Sequence, residues 1–92
     1  MFWSKSHKLD DQIILAVCDE EILGRDMDGM IISNSFFKGE KVNKEEIINL
    51  MQEATICNMF GKQIISIAKE KGFIHETNII LIGDVPHAQY VK

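Results

Sequence analysis

Two short apolar runs dominate the hydrophobic pattern of the chain, QIILAVCD at 12–19 and NIILIG at 78–83. Each is partly β-branched and closed by acidic residues or a Gly-Asp pair, the pattern of a strand covered on both sides. The two are therefore expected to lie side by side at the centre of a sheet. MIIS at 30–33 predicts a further strand, and AQYVK at 88–92 a short terminal one. The segment DEEILGRDMDG between the first two strands carries turn chemistry at Gly24 and at Asp28-Gly29, with Ile22 and Leu23 filling a single helical turn. NSFFKGEKV reads as irregular, anchored by Phe36 and Phe37 and punctuated by Gly39.

The period changes after residue 42. Asn43 is a good N-cap, and Glu45 and Glu46 fall in the first turn, where acids meet the positive end of the helix dipole. Ile47, Met51, Ala54 and Asn58 share one stripe, whereas Ile56, Met59, Phe60, Ile64, Ile67 and Ala68 share another. At about 100° per residue the second stripe is rotated by roughly half a turn from the first. The spacing predicts a break around 53–58, with Asn58 satisfying the backbone groups freed there. Lys69 and Lys71 suit a last helical turn, Gly72 a C′ position, and Gly61 a close backbone approach.

These elements predict an α+β fold: a small mixed sheet of three to five short strands, with a central helical segment in two pieces covering one face. Residues 1–11 are polar apart from Phe2, Trp3 and Leu9, and predict a loosely held N-terminal arm before a single domain at 12–92. Phe2 and Trp3 either cover the edge of the core or form an aromatic pair for a partner. Ninety-two residues leave no room for a second core.

Charge narrows the function classes. The net charge is −4, and the lysines are spread among acids. That disfavours direct nucleic-acid binding unless Lys38, Lys41, Lys62 and Lys69 gather on one face. Cys18 and Cys57 sit among apolar residues and read as reduced thiols of a cytoplasmic protein. No apolar run approaches the ~18 residues that span a membrane. Phosphate-loop and nucleophile-elbow patterns are missing. Cys18, Cys57, His75 and His87 lack metal-ligand spacing, so neither a metal nor a cofactor is expected.

Candidate chemistry concentrates in two places. Asp19, Glu20 and Glu21 follow the first buried run, either as a solvated turn or as acid-base groups. The stretch GDVPHAQYVK holds the chain's single proline. Pro86 fixes φ, which would hold His87 in a set direction, with Asp84 three residues away to orient the imidazole. The catalytic candidates are thus His87, Asp84, Asp19 and Glu20, and the binding candidates Asn58, Pro86, His87 and Gln89.

AVCDEEILG (16–24), QEATICNMFGKQ (52–63) and IGDVPHAQ (82–89) resemble, in order and spacing, a family of small archaeal proteins catalogued as domain of unknown function 424. The resemblance spans roughly residues 12–91 and implies an archaeal, cytosolic, single-domain protein. It carries no catalytic residues over. Three functions stay open: a non-catalytic interaction module for a protein or ribonucleoprotein partner in translation or RNA metabolism; a small hydrolase or transferase using His87 with nearby carboxylates; and a direct RNA binder. A strand at 90–91 exposed at a sheet edge would be able to pair between subunits, so a homo-oligomer is also open.

Overall fold

The chain begins with a hairpin. β1 (Phe2–Leu9) and β2 (Gln12–Asp19) pair over all eight residues, from Leu9↔Gln12 at the turn to Phe2↔Asp19. Asp10 in the turn takes a left-handed φ of 56°, which Asp tolerates because its short side chain bonds locally. The computed structural model describes residues 1–27 and 30–92. The turn expected at Asp28-Gly29 lies outside the described residues.

The expected loose arm at 1–11 is corrected by this hairpin, since residues 2–9 form an interior strand. Phe2 and Ser4 are buried on one side of β1, while Trp3, Lys5 and His7 are half-buried on the other. A strand whose partners supply most of the apolar surface can itself be polar, and so the Ser-Lys-Ser-His run hid it.

A single 3-10 turn (Glu20–Ile22) leads to a two-stranded ribbon, β3 (Asp26–Met27) with β4 (Met30–Ile31). α1 (Asn34–Phe37) follows, capped by Ser33, whose Oγ accepts the Phe36 N–H at 3.3 Å. β5 (Glu40–Val42) then pairs antiparallel with β1. Gly39 is required before it, because a Cβ there would lie 2.4 Å from the Ser4 carbonyl oxygen.

α2 (Lys44–Glu53) starts at the expected cap. Asn43 Oδ1 accepts the Glu46 N–H at 2.9 Å, and Glu46 Oε1 accepts the Asn43 N–H at 3.1 Å, a reciprocal capping box. The helix ends where the stripe changes, but the next residues are not a second helix. Residues Ile56–Phe60 form β6, parallel to β2, and α3 (Lys62–Glu70) begins only after Gly61. The opposed stripes come from this intervening strand, which sends Cys57 and Met59 to one face and Asn58 and Phe60 to the other. Asn58 is therefore not a helix cap; it stands in mid-strand opposite Ala16 and Gln89.

β7 (Ile80–Ile82) and β8 (Val85–Val91) complete the sheet. The strand order is β5-β1-β2-β6-β8-β7, with β2 and β6 parallel and the other neighbours antiparallel. The α+β class holds, but among the described residues the main sheet has six strands instead of three to five, and the α-helices number three. The 12–18 and 79–82 runs are not neighbours, because β6 and β8 lie between them. β7 is an edge strand with Leu81 70% exposed, so its apolar run marks an edge and not the centre.

The two faces of the sheet are covered differently. α2 and α3 close one face, where Leu15, Val17, Ile47, Met51, Met59 and Ile64 are packed together and fully buried. On the other face Ala16, Cys18, Ile22, Ile32, Phe37, Phe60 and Val85 form a second, smaller core beneath the 3-10 turn, the 32–33 segment and α1. That cover stops short, and Ile14, Ile56 and Asn58 are only half-buried while Gln89 and Val91 are exposed.

Candidate functional site

The carboxylates expected to do chemistry are occupied elsewhere. Asp19 ends β2 on the helical face, paired in register with the core residue Phe2. Its carboxylate is buried and accepts two backbone N–H groups at the start of α3, Gln63 to Oδ2 at 2.8 Å and Ile64 to Oδ1 at 2.9 Å. Gly61, at the N-cap, has no side chain to offer, and its φ of +123° together with the missing Cβ makes room for Asp19. A Cβ on Gly61 would sit 2.3 Å from Asp19 Cγ. Asp19 thus caps a helix more than forty residues away in sequence. Burial raises its pKa above the ordinary carboxylate value, against the opposing pull of the two N–H donors.

Glu20 reaches Lys41 instead, Oε2 to Nζ at 2.6 Å, and this hydrogen bond holds its pKa below the usual value. Asp84 faces Arg25 at 3.7 Å with its side chain 80% exposed. Asp19, Glu21, Arg25, Lys62 and Asp84 do line one small cleft of about 160 Å³. His87 is not part of it. Among the described residues, no group of three or more His, Cys, Asp or Glu side chains stands together in a way that could hold a metal ion.

His87 belongs to the other face. β8 alternates, so Val85, His87 and Gln89 point away from the helices, towards Phe60 and Asn58 across the ladder. The imidazole stacks on Phe60, centroids 4.1 Å apart at 24°. Its Nδ1 is buried and has no hydrogen-bond partner among the described residues. Desolvation lowers the His87 pKa, which keeps the ring neutral near pH 7. Pro86 acts through its backbone: its carbonyl accepts the Gly61 N–H at 3.0 Å on the β6 side. No hydrogen bond joins Asp84 to His87, so the expected dyad is not formed.

What the fold does assemble is a groove of about 340 Å³ between the half-cover and the bare sheet, lined by Ile31, Ser33, Phe36, Phe37, Asn58, Phe60 and His87. Four of its rings stand in contact, and His7 joins them from beside Phe36. His7 stacks on Phe36 at 4.8 Å, Phe36 meets Phe37 edge-on at 5.0 Å, Phe37 meets Phe60 edge-on at 5.6 Å, and Phe60 carries His87. Gln89 stands directly opposite Asn58 on the open continuation of the groove. Three of the four binding candidates, Asn58, His87 and Gln89, therefore share one surface. Sequence reasoning missed His7, which lay in the supposed arm, and Phe60, which lay in the supposed helix. Alternation in ICNMF was the signal that pairs Asn58 with Phe60.

The lysines do not gather. Lys38 and Lys41 both approach the Trp3 ring, at 5.5 and 5.4 Å, but Lys41 is engaged by Glu20. Lys69 pairs with Glu76, and Lys62 lines the cleft beside Asp19 and Asp84. No helix among the described residues is long and apolar enough to cross a membrane.

Residues 7–92 match a family described as Protein of unknown function (DUF424). Among solved structures, the chain is similar to the crystal structure of an uncharacterized conserved protein from Methanopyrus kandleri. The two share 26% identity and a TM-score of 0.79, over 97% of this chain and 89% of that one. No curated protein matches the chain.

Proposed function

The chain belongs to the DUF424 family, and from that premise we propose that it is a non-catalytic interaction module whose half-open sheet face receives a protein or ribonucleoprotein partner in the archaeal cytoplasm, in translation or RNA metabolism. One observation carries the reading. The polar candidates His87 and Asn58 line an open groove with Phe36 and Phe60, with Gln89 opposite Asn58 in the ladder, while Asp19, Glu20 and Asp84 are each turned to other groups. A neutral imidazole, two amides and a ladder of rings supply shape and hydrogen bonding. They supply neither a base held by a carboxylate nor an activated nucleophile. Buried aromatic anchors ringed by polar groups are what a binding surface needs.

The test is partner capture with a matched surface variant. Asn58→Arg with Gln89→Arg places two charges on the open face and leaves both cores untouched. A photo-crosslinker at position 36, in the groove, is expected to join one reproducible partner other than a second copy of the chain, and the double variant carrying the same crosslinker to lose that partner at an unchanged melting temperature. Equal retention by the double variant, or crosslinking to no reproducible species, overturns the reading.

A further inference from the structure

Each edge of the sheet is a three-residue strand that covers only part of its neighbour, β5 on Phe2–Ser4 of β1 and β7 on Val85–His87 of β8, but the two edges differ in charge. The β5 edge is three residues long and carries Glu40 and Lys41, both exposed. Charges on a short edge strand are a standard guard against pairing with another chain. At the opposite edge β7 covers only part of β8. It pairs with Val85, Pro86 and His87, whereas β6 pairs with β8 from His87 through Val91. From residue 88 onward β8 has a ladder partner on one side only.

Alternation tells which main-chain groups are left over. The Pro86 carbonyl accepts from Gly61 and the Lys92 N–H donates to the Thr55 carbonyl, both on the β6 side. Residues 86, 88, 90 and 92 therefore direct their backbone groups to β6, and 85, 87, 89 and 91 direct theirs the other way. Val85 and His87 meet β7 there. Gln89 and Val91 meet no strand among the described residues. Two N–H donors and two carbonyl acceptors, one residue apart, are thus presented at an open edge. Three of the large apolar residues that the fold leaves exposed flank it: Ile80 at 56%, Leu81 at 70% and Val91 at 67%.

We propose that this edge pairs with the same edge of a second copy of the chain, Gln89–Val91 running antiparallel to Gln89–Val91 about a two-fold axis through Tyr90. Gln89 then stands opposite the partner copy's Val91, and both donors and both acceptors on each copy are used, giving four ladder hydrogen bonds. The pattern is complementary to its own image. Charge favours the same occupant: a chain of net charge −4 repels itself over most of its surface, but Ile80, Leu81, Gln89 and Val91 carry no charge. Pairing also sets the two open sheet faces side by side as one continuous platform. The proposal uses the backbone of Gln89 where the partner-binding reading uses its side chain, and it is tested on the isolated protein alone. A contact of one short strand buries less than the ~1,200 Å² of a tight interface, so the association is weak and concentration-dependent.

The test is backbone amide exchange by NMR on the full chain, from about 20 µM to about 1 mM, with sedimentation equilibrium in parallel. The Gln89 and Val91 amides are expected to exchange rapidly in dilute protein and to slow by at least about tenfold at the upper concentration. The Ala88 and Tyr90 amides, held by β6, stay protected throughout. The mean mass rises from 10.5 kDa towards twice that. Gln89→Lys with Val91→Lys sets lysines opposite lysines, and Val91→Pro deletes a donor on the free side alone; each abolishes the mass increase at an unchanged melting temperature. A monomer at the upper concentration with Gln89 and Val91 still exchanging freely overturns the proposal. So does a dimer that both edge variants leave intact. The wild-type exchange pattern decides the matter even where a variant fails to fold.

Discussion

The two faces of the sheet use the same strands for different ends. On the helical face, Leu15, Val17, Cys57 and Met59 meet α2 and α3, and the packing is continuous from Phe2 to Ile74. On the other face, Ala16, Cys18 and Phe60 meet a cover made of a single 3-10 turn, four residues of helix and the loops between them. Two long amphipathic helices can seal a face of this size, and short irregular segments cannot, because they carry little apolar surface per residue. The result is one face that is sealed and one that is partly left open. Candidate binding residues fall on the second, and the buried carboxylate that looked chemical serves the first.

Breaking the helical face is expected to have the largest effect. Gly61→Ala sets a Cβ 2.3 Å from Asp19 Cγ at a φ of +123°. The substitution adds backbone strain and pushes out the carboxylate that caps α3, so a loss of at least about 4 kcal/mol is expected. For a small domain that is most of the stability. Urea denaturation measures it, and a loss under about 1 kcal/mol would show that Asp19 does not hold the helix start. The next comparison is direct. Ile64→Ala removes a fully buried side chain from the helical core and is expected to cost about 3 kcal/mol. Phe36→Ala removes a half-buried ring from the groove and is expected to cost about 1 kcal/mol or less despite its larger size. Equal costs in the same urea series would make the groove face a second sealed core and remove the contrast.

How far the sequence could be read follows the same division. Asn43 and Gly72 act locally, through capping and a left-handed C′ residue (φ 79°), and are legible as such, whereas Glu46 is legible as a first-turn acid and not as the second half of a capping box. The close approach at Gly61 was legible, but not the residue that approaches, because Asp19 lies on a different strand. Strand order was the least legible. The apolar run at 79–82 reads as central and is an edge, while ICNMF, with a polar residue in the middle, is flanked on both sides. Neighbours in a sheet are set by long-range pairing, which one strand's composition does not encode. β1 escaped for the same reason, its Ser, Lys and His residues being carried by β2 and β5. The groove is half legible: Pro86 marks His87, the change of stripe marks Asn58, and the proline-containing tail includes Gln89, but only the register Phe60↔His87 and Asn58↔Gln89 brings them together.

The smallest expected effect sharpens what kind of group the groove presents. His87 packs its ring on Phe60 with Nδ1 buried and unpartnered, and the acid nearest in sequence, Asp84, is turned to Arg25. Protonation would bury part of a positive charge without a carboxylate to meet it, so burial keeps the folded-state pKa below the ordinary 6.5. The sign follows from linkage. The unfolded chain takes up the proton first, so the contribution of neutral His87 is fully present above the unfolded value and is lost as pH falls through the lower folded value. Between about pH 7.5 and pH 5, the wild type is therefore expected to lose stability relative to His87→Gln, by on the order of 1 kcal/mol or less. Urea midpoints measured across that range for both proteins give the difference, and the shared carboxylate titrations cancel. A His87 ring titrating at or above 6.5 by NMR would mean that Nδ1 finds water or an acid in solution. The groove would then present a cation near neutral pH, where the buried ring presents an uncharged surface.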